Sequence, residues 1–187
     1  MSSTFESKPV KLDEELAELI AVLSSRWRAL DGSVHFGVEE DRLKKALDVK
    51  SRASLERKLE EVQKKLLPMG LEIVRYSYEG KFYYCIRTIY GVPSELTDEE
   101  YAVLGVIIYH IETNKEHDYV TKKQLEITLV NGNYLNMYQF EQILRNLEMF
   151  GYIKRRRGNV YYGSRTLVEF DEERRRAIAD EVKAWLV

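Results

Sequence analysis

Apolar residues in the first half of the chain have the spacing of three short helices. The first helix is predicted to begin after the cap candidate Asp13. Its apolar face is formed by Leu16, Leu19, Leu23 and Trp27. A second helix is predicted over residues 39–47, and a third begins after Ser51 and is ended by Pro68 and Gly70.

The second half repeats this order of elements, and the start of its first helix is marked more clearly than that of the first half. Thr97 and Glu100 have the spacing of a capping box ahead of a helix whose apolar residues cover more than one stripe. Such a helix is buried on two sides or contacts a partner. A short helix after Thr121 and an amphipathic helix over 138–150 follow, and Gly151 provides an exit. A last helix, beginning at Asp171, presents Ile178, Val182 and Trp185 on one side.

Both halves also end in a predicted hairpin. Segments 71–78 and 81–88 are rich in aromatic and β-branched residues and turn at Glu79-Gly80. The second hairpin is predicted over 152–167, with its turn at Gly158-Asn159. A shared pattern, an apolar residue, two tyrosines, two variable positions, arginine and threonine, occurs in both hairpins.

Three helices followed by a hairpin is the order of the winged helix-turn-helix. This order of elements, present twice, therefore predicts an α+β fold, mainly α, of two tandem winged helix-turn-helix domains. The first domain is predicted over 11–89 and the second over 97–170, joined by a linker over 90–96. A C-terminal helix over 171–187 completes the chain.

Charge and composition restrict the function. The 187 residues include 29 basic and 31 acidic side chains, a formal net charge of −2, which excludes a protein that coats nucleic acid by bulk charge. Cys85 is the single cysteine, so no intramolecular disulfide is expected and a reducing cytosol fits. The longest apolar run, 101–111, is too short to span a bilayer, and the N-terminus has no signal-peptide core, so we expect a cytoplasmic protein with no membrane partner. A charged fraction of 32% favours a protein from a thermophile.

No catalytic constellation is visible. The three histidines, His35, His110 and His117, lack the spacing of metal ligands, and Cys85 lies in a predicted strand. Neither a Walker nor a dinucleotide glycine pattern occurs. We therefore expect a non-enzymatic protein without metal or cofactor.

A basic segment leaves nucleic-acid contact open. Four adjacent cations, Lys154, Arg155, Arg156 and Arg157, lie on the second predicted wing and can reach a phosphate backbone. The helix over 138–150 is net acidic, however, and carries few residues suited to reading base edges. Thirteen tyrosines favour protein partners, with weak backbone contact to DNA as the most that the charges predict.

Several segments together are typical of one protein family. They are Leu96-Thr97-Asp98-Glu99-Glu100-Tyr101-Ala102-Val103-Leu104, Val120-Thr121-Lys122-Lys123-Gln124-Leu125, Leu147-Glu148-Met149-Phe150-Gly151-Tyr152-Ile153, Tyr162-Gly163 with the apolar stretch after it, and Gly70-Leu71-Glu72-Ile73-Val74 with Phe82-Tyr83-Tyr84-Cys85-Ile86-Arg87-Thr88. They resemble the segregation and condensation protein B family over most of residues 14–170. The first helix lacks the small-residue opening of bacterial members, and Arg156-Arg157-Gly158-Asn159-Val160 replaces their proline-glycine-arginine segment. These differences indicate a divergent, archaeal member.

The resemblance implies a non-enzymatic, nucleoid-associated subunit of an SMC (structural maintenance of chromosomes) complex, acting in chromosome condensation and segregation. It implies that the second domain binds the kleisin subunit and, through it, the SMC ATPase. We assign kleisin binding to one face, Tyr101, Leu104, Ile108, Tyr109 and Ile111. It also implies a homodimer, which we assign to Leu16, Leu19, Leu23 and Trp27.

Two other functions fit a tandem winged-helix protein. One is a DNA-binding transcriptional regulator, motivated by the basic wing at 154–157. The other is a scaffold in transcription or trafficking machinery, which uses similar tandem domains.

Overall fold

Two antiparallel three-stranded sheets, one in each half of the chain, organise a mixed α+β fold that is mostly helical. A computed structural model describes residues 14–29, 32, 34–89, 95–114 and 116–186. The helices are α1 (Glu14–Leu23), α2 (Glu40–Ala46), α3 (Arg52–Leu66), α4 (Asp98–Thr113), α5 (Lys122–Leu129), α6 (Met137–Met149), α7 (Ser164–Glu169) and α8 (Glu172–Leu186). The strands are β1 (Arg26–Arg28), β2 (Val34–Phe36), β3 (Val38–Glu39), β4 (Leu71–Tyr78), β5 (Lys81–Thr88), β6 (Tyr119–Thr121), β7 (Ile153–Arg156) and β8 (Asn159–Tyr162).

In the first half, helices α1, α2 and α3 pack on one face of a sheet with strand order β3-β5-β4. The predicted hairpin is confirmed: β4 and β5 pair from Leu71↔Thr88 to Tyr78↔Lys81. Glu79 and Gly80 form its turn, both at positive φ. The core of this half consists of Leu19, Leu23, Leu43, Leu55, Leu59 and Tyr84.

The second half has the equivalent arrangement, with strand order β6-β8-β7. The capping box predicted at Thr97 and Glu100 is confirmed, and α5 and α6 begin with boxes of the same kind. A box satisfies two backbone amides at a helix start and so fixes where the helix begins. Glu100 also accepts a hydrogen bond from Asn146 at 2.7 Å, which ties α6 to the start of α4.

Helix α8 packs lengthwise on α4, so the last predicted helix returns to its own half. The closest approach is at Gly105, where a side-chain carbon would lie 3.3 Å from Val182 and 3.9 Å from Ile178. The apolar face predicted on the last helix therefore covers the second stripe of α4. This explains why α4 is apolar around most of its circumference.

One prediction in the first half is wrong. Trp27 does not continue the first helix: α1 ends at Leu23 and Trp27 lies on β1, opposite His35 of β2. Two serines, poor helix formers, follow Leu23. The Ser25 hydroxyl and the Trp27 indole both donate to the carbonyl of Gly37, which holds this segment against the chain beyond β2.

A second prediction, that a strand runs to Leu167, is also wrong. Strand β8 ends at Tyr162, and residues 164–169 form α7. Gly163 permits the change because its Cα lies against the backbone of Gly151, where a side-chain carbon would meet the carbonyl oxygen at 2.1 Å. Thr166 then donates to the carbonyl of Tyr152 at 2.6 Å, which holds the helix in place.

Helix α7 joins the two halves. Its Val168 is buried with Tyr76, Tyr78, Tyr83 and Cys85 on the face of the first sheet that points away from α1–α3. The Arg87 guanidinium donates to the carbonyl of Val168 at 2.6 Å. Three tyrosines of the first hairpin, Tyr76, Tyr78 and Tyr83, are thus buried between the halves, on a surface that we call the module junction.

The predicted domain limits lie partly outside the described residues. Asp13 and the rest of 11–13, residues 90–94 of the predicted linker, and Val187 are among the positions that the structure does not describe. Glu95, at the end of that linker, forms an ion pair with Arg165 of α7 at 3.0 Å.

Candidate protein-docking surfaces

An apolar groove of about 460 Å³ lies between α4 and α8. We call it the α4–α8 groove. Its floor consists of apolar and small side chains, namely Ala102, Leu104, Gly105, Ile108, Phe170, Ile178 and Val182. A surface of this composition favours the apolar face of a partner helix over a polar small molecule.

Large aromatic side chains border the groove. Tyr101 is 37% exposed at the α4 side, and Trp185 is 57% exposed on α8. The Trp185 ring lies 5.0 Å from the ring of Tyr134, itself half-exposed, so the apolar surface continues past the end of the groove. Two carboxylates, Asp98 and Glu181, also line the groove and are exposed. The surface is therefore apolar and aromatic with an acidic rim.

A buried polar network fixes α8 on α4. Arg175 of α8 pairs with Glu112 of α4 at 2.8 Å, and the Tyr162 hydroxyl donates to the same carboxylate at 2.9 Å. Burial, together with the neighbouring Glu112, raises the pKa of Tyr162 well above its ordinary value, so the phenol stays protonated and donates. Arg175 also donates to the carbonyl of Phe170 at 2.7 Å. Helix α8 forms the second wall of the groove. Contacts with α4, with β8 and with the carbonyl of Phe170, just before α8, therefore fix its position.

The residues assigned to kleisin binding divide into two groups. Leu104, Ile108 and Ile111 are buried in the core of the second half. Tyr101 is exposed at the groove, and Tyr109 is half-buried. Leu104 and Ile108 still line the groove, but a partner reaches them only alongside α8.

The residues assigned to the dimer interface are mostly internal. Leu16, Leu19 and Leu23 are buried beneath their own helix, and Leu19 and Leu23 belong to the core of the first half. Trp27 is 38% exposed and stacks on His35 with ring centroids 4.3 Å apart. The structure therefore does not bring these four side chains onto one exposed face.

The basic wing has two paired and two exposed cations. Lys154 contacts Glu79 of the first hairpin at 2.5 Å, and Arg155 pairs with Glu148 at 2.7 Å. Arg156 and Arg157 are exposed at the end of β7 and in the turn, and neither guanidinium forms an ion pair within the described ranges. Two cations therefore remain to contact a phosphate backbone, half of the four that the sequence predicts.

Helix α6 presents a stripe with a single charged side chain to solvent. Its exposed side chains Tyr138, Gln142, Arg145 and Met149 follow each other at helical spacing. Glu141, beside this stripe, is bonded to Lys122, and that hydrogen bond lowers the pKa of the carboxyl. One free cation and two large apolar side chains suit protein contact better than base reading.

The remaining candidate residues are structural. Cys85 is buried at the module junction, and burial raises the pKa of its thiol to about 12. The ring of His110 faces the Thr128 hydroxyl at 3.0 Å, and burial lowers its pKa. Exposed His117 stacks on Tyr119. Across the described ranges, no three metal-ligating side chains converge, and no helix has the length and apolarity of a membrane span.

Comparison with known proteins gives a likeness of fold. No protein family matches the chain, and no curated protein does either. Among solved structures, a chain of the Nse1-Nse3-Nse4 complex is similar, with a TM-score of 0.60 and 13% sequence identity. The similarity covers 91% of this chain and 77% of that chain. At this identity it shows a shared arrangement of helices and sheets, which extends across both halves.

The sequence did not predict that α8 forms the second side of the groove. The apolar excess of α4 indicated either double burial or a partner, and the structure shows burial against the core on one side and against α8 on the other. Trp185 and Glu181 of α8 were not assigned to the site. The signal available was the exposed end of the apolar face at Trp185, three residues beyond Val182 and on the same side of the helix.

Proposed function

We propose that the chain is a tandem winged-helix, non-enzymatic subunit of an SMC condensin-like complex that binds the kleisin and acts in chromosome condensation and segregation. The observation that carries the proposal is the α4–α8 groove, an apolar surface with exposed aromatic side chains at its border. Two further observations support it: the sequence segments that resemble segregation and condensation protein B, and the likeness of fold to a chain of a three-protein assembly.

The occupant that fits the groove is an amphipathic helix of the kleisin. An apolar stripe facing Ala102 and Val182 makes a third helix beside α4 and α8, and these short side chains allow close approach. Lysine or arginine beside that stripe complements Asp98 and Glu181. Tyr101 and Trp185 are the expected anchors, because exposed aromatic residues carry much of the energy of protein interfaces.

Isothermal titration calorimetry with the kleisin encoded by the same genome tests the proposal. Wild-type protein is expected to bind, and a Tyr101→Ala/Trp185→Ala variant to bind at least about tenfold more weakly. Ile127→Ala is the control, because it removes a large apolar side chain that is 54% exposed on α5, away from the groove lining and from the α6 stripe. Absence of kleisin binding by the wild type would reject the function. Equal binding by both variants would reject the groove as its site.

We also propose a homodimer, as the family resemblance implies. Leu16, Leu19 and Leu23 are buried, and Leu19 and Leu23 belong to the first core, so the half-exposed Trp27 is the residue of the assigned set that we propose for the interface. Light scattering at micromolar concentration is expected to give twice the chain mass of 22.0 kDa. A mass near 22.0 kDa would contradict the dimer.

The second candidate function is a tandem winged-helix DNA-binding regulator. It is favoured by Arg156 and Arg157, which are exposed at the tip of the second hairpin. A gel shift over a salt series separates the two functions. Sub-micromolar, sequence-selective binding at about 150 mM salt favours the regulator, whereas weak binding that disappears as salt rises favours the SMC-complex subunit.

A further inference from the structure

A second cavity, distinct from the α4–α8 groove, opens where the two halves meet. It measures about 570 Å³, and we call it the junction cavity. Its lining includes Arg28, Val34 and Tyr78 from the first half, and Gln142, Arg145 and Met149 from α6. Its shape therefore depends on both halves and on their relative position.

The junction cavity carries an excess of positive charge. Four cations line it, and two of these are neutralised: Lys154 by Glu79 at 2.5 Å and Arg155 by Glu148 at 2.7 Å. The other two, Arg28 and Arg145, are exposed. Within the part of the chain that the structure describes, neither guanidinium forms a hydrogen bond or an ion pair. Two guanidinium groups that form no ion pair, one from each half, thus line the same opening. The charge of Arg145 also adds to the lowering of the Glu141 pKa that the Lys122 hydrogen bond causes.

Apolar surface lies between these charges. Met149 is 52% exposed at the α6 side, and the buried side chain of Val34 forms part of the opposite wall. The Gln142 side chain donates to Asn146 at 3.2 Å, which leaves its amide oxygen free to accept. Methionine adapts its shape to an inserted side chain at little cost. The cavity therefore offers a flexible apolar wall with two positive groups at its rim.

We propose that the junction cavity binds an acidic segment of a protein partner, in which one apolar residue lies between carboxylates. The apolar side chain contacts Met149 and Val34, and the flanking carboxylates pair with Arg28 and Arg145. Arginine favours this pairing because its guanidinium can hold a carboxylate through two parallel hydrogen bonds. A ligand of this kind bridges the two halves. The proposal does not depend on the α4–α8 groove holding a kleisin helix.

Nucleic acid fits the same cavity less well. DNA-binding proteins make roughly 6–10 phosphate contacts, whereas this opening provides two free cations. An apolar wall has no counterpart on a phosphate backbone, but it matches a leucine or phenylalanine side chain.

A peptide array tests the proposal with the full chain. The probes are 12-residue peptides with one leucine, phenylalanine or methionine between glutamates, and matched peptides with lysine in place of each glutamate. Wild-type protein is expected to retain the acidic peptides and not the basic ones. An Arg28→Glu/Arg145→Glu variant is expected to lose at least about tenfold in affinity for them, measured by fluorescence anisotropy. Both arginines are exposed, so the variant is expected to unfold at the wild-type temperature.

The matched control is Arg156→Glu/Arg157→Glu, which makes the same change of charge on exposed residues outside the cavity lining. This control is expected to bind the acidic peptides as the wild type does. An equal loss in both variants would show an effect of net charge alone and would overturn the proposal, as would failure of the wild type to retain any acidic peptide at about 50 µM. A 20-base-pair duplex is the third probe. Loss of duplex binding in the Arg28→Glu/Arg145→Glu variant without peptide binding would assign the cavity to nucleic acid instead.

Discussion

The hydroxyl of Ser164 donates a hydrogen bond to the backbone carbonyl of Val34, 130 positions earlier in the chain. Ser164 is fully buried at the first turn of α7, and Val34 lies on β2. This bond joins an element that the sequence predicted as strand to one that it did not predict at all. It is part of the module junction, together with the contact between Arg87 and Val168.

Ser164→Ala is expected to lower the free energy of unfolding by about 1–2 kcal/mol, because the carbonyl of Val34 is left without its donor in a buried position. Urea unfolding followed by circular dichroism measures the change. The control is Ser77→Ala, an exposed serine on β4, for which less than about 0.5 kcal/mol is expected. Similar losses in both variants would show that the bond contributes nothing specific.

Replacement of Gly37 by alanine is expected to be far more damaging than replacement of Gly80. Both have positive φ, +72° and +76°, so both variants carry the same backbone strain. A side-chain carbon at Gly37 would also lie 1.9 Å from the carbonyl oxygen of Tyr84, whereas none of the described atoms is within 4 Å at Gly80. We expect a loss of about 1 kcal/mol for Gly80→Ala and at least about 3 kcal/mol, or failure to fold, for Gly37→Ala. Thermal unfolding of the two variants in parallel distinguishes the clash from the strain.

Cys85 reports on opening of the module junction. The thiol is 2% exposed and its pKa is raised to about 12 by burial, so a disulfide reagent is expected to label native protein very slowly. Val168→Ala shortens the side chain of α7 that covers this face and is expected to accelerate labelling about tenfold. The control is Ile127→Ala, 54% exposed on α5, which is expected to leave the rate unchanged. Labelling of Val168→Ala at the wild-type rate would mean that α7 does not protect the thiol.

His110 is expected to make the protein less stable in mild acid. Burial lowers its pKa in the folded chain below the 6.5 of an unfolded histidine, so the unfolded state binds the proton more readily. The stabilising contribution is therefore complete above about pH 6.5 and is lost as the pH falls through the folded value. Unfolding free energies at about pH 7.5 and about pH 5.5 are expected to differ less in His110→Gln than in the wild type. His117→Gln, at an exposed position, is the control and is expected to keep the wild-type difference.

Local signals accounted for most helix and strand limits. The capping box of Thr97 and Glu100, the turn at Glu79-Gly80 and the helix exit at Gly151 are each determined by neighbouring residues, and each is confirmed. Helix α7 depends instead on contacts of Ser164 and Thr166 with distant carbonyls, which no periodicity reveals. Strands β1 and β2 likewise depend on bonds to Gly37.

The candidate site likewise combines features that local sequence predicts with features that depend on tertiary contacts. The apolar excess around α4 was visible in the sequence, but its distribution between core and groove depends on where α8 packs. The pairing of Lys154 with Glu79 and of Arg155 with Glu148 removes two cations from the predicted basic surface. A charge count gives the number of cations, and only tertiary structure shows which remain free.

Only Phe170 and Asp171 separate α7 from α8, and Phe170 is itself anchored in the core of the second half. The connection is therefore short between α8, which lines the groove, and α7, which covers one face of the first sheet. No loop lies between these helices to take up a movement of α8 before it reaches α7. A ligand that shifts α8 along α4 is therefore expected to displace α7 and the face of the first sheet that Val168 covers.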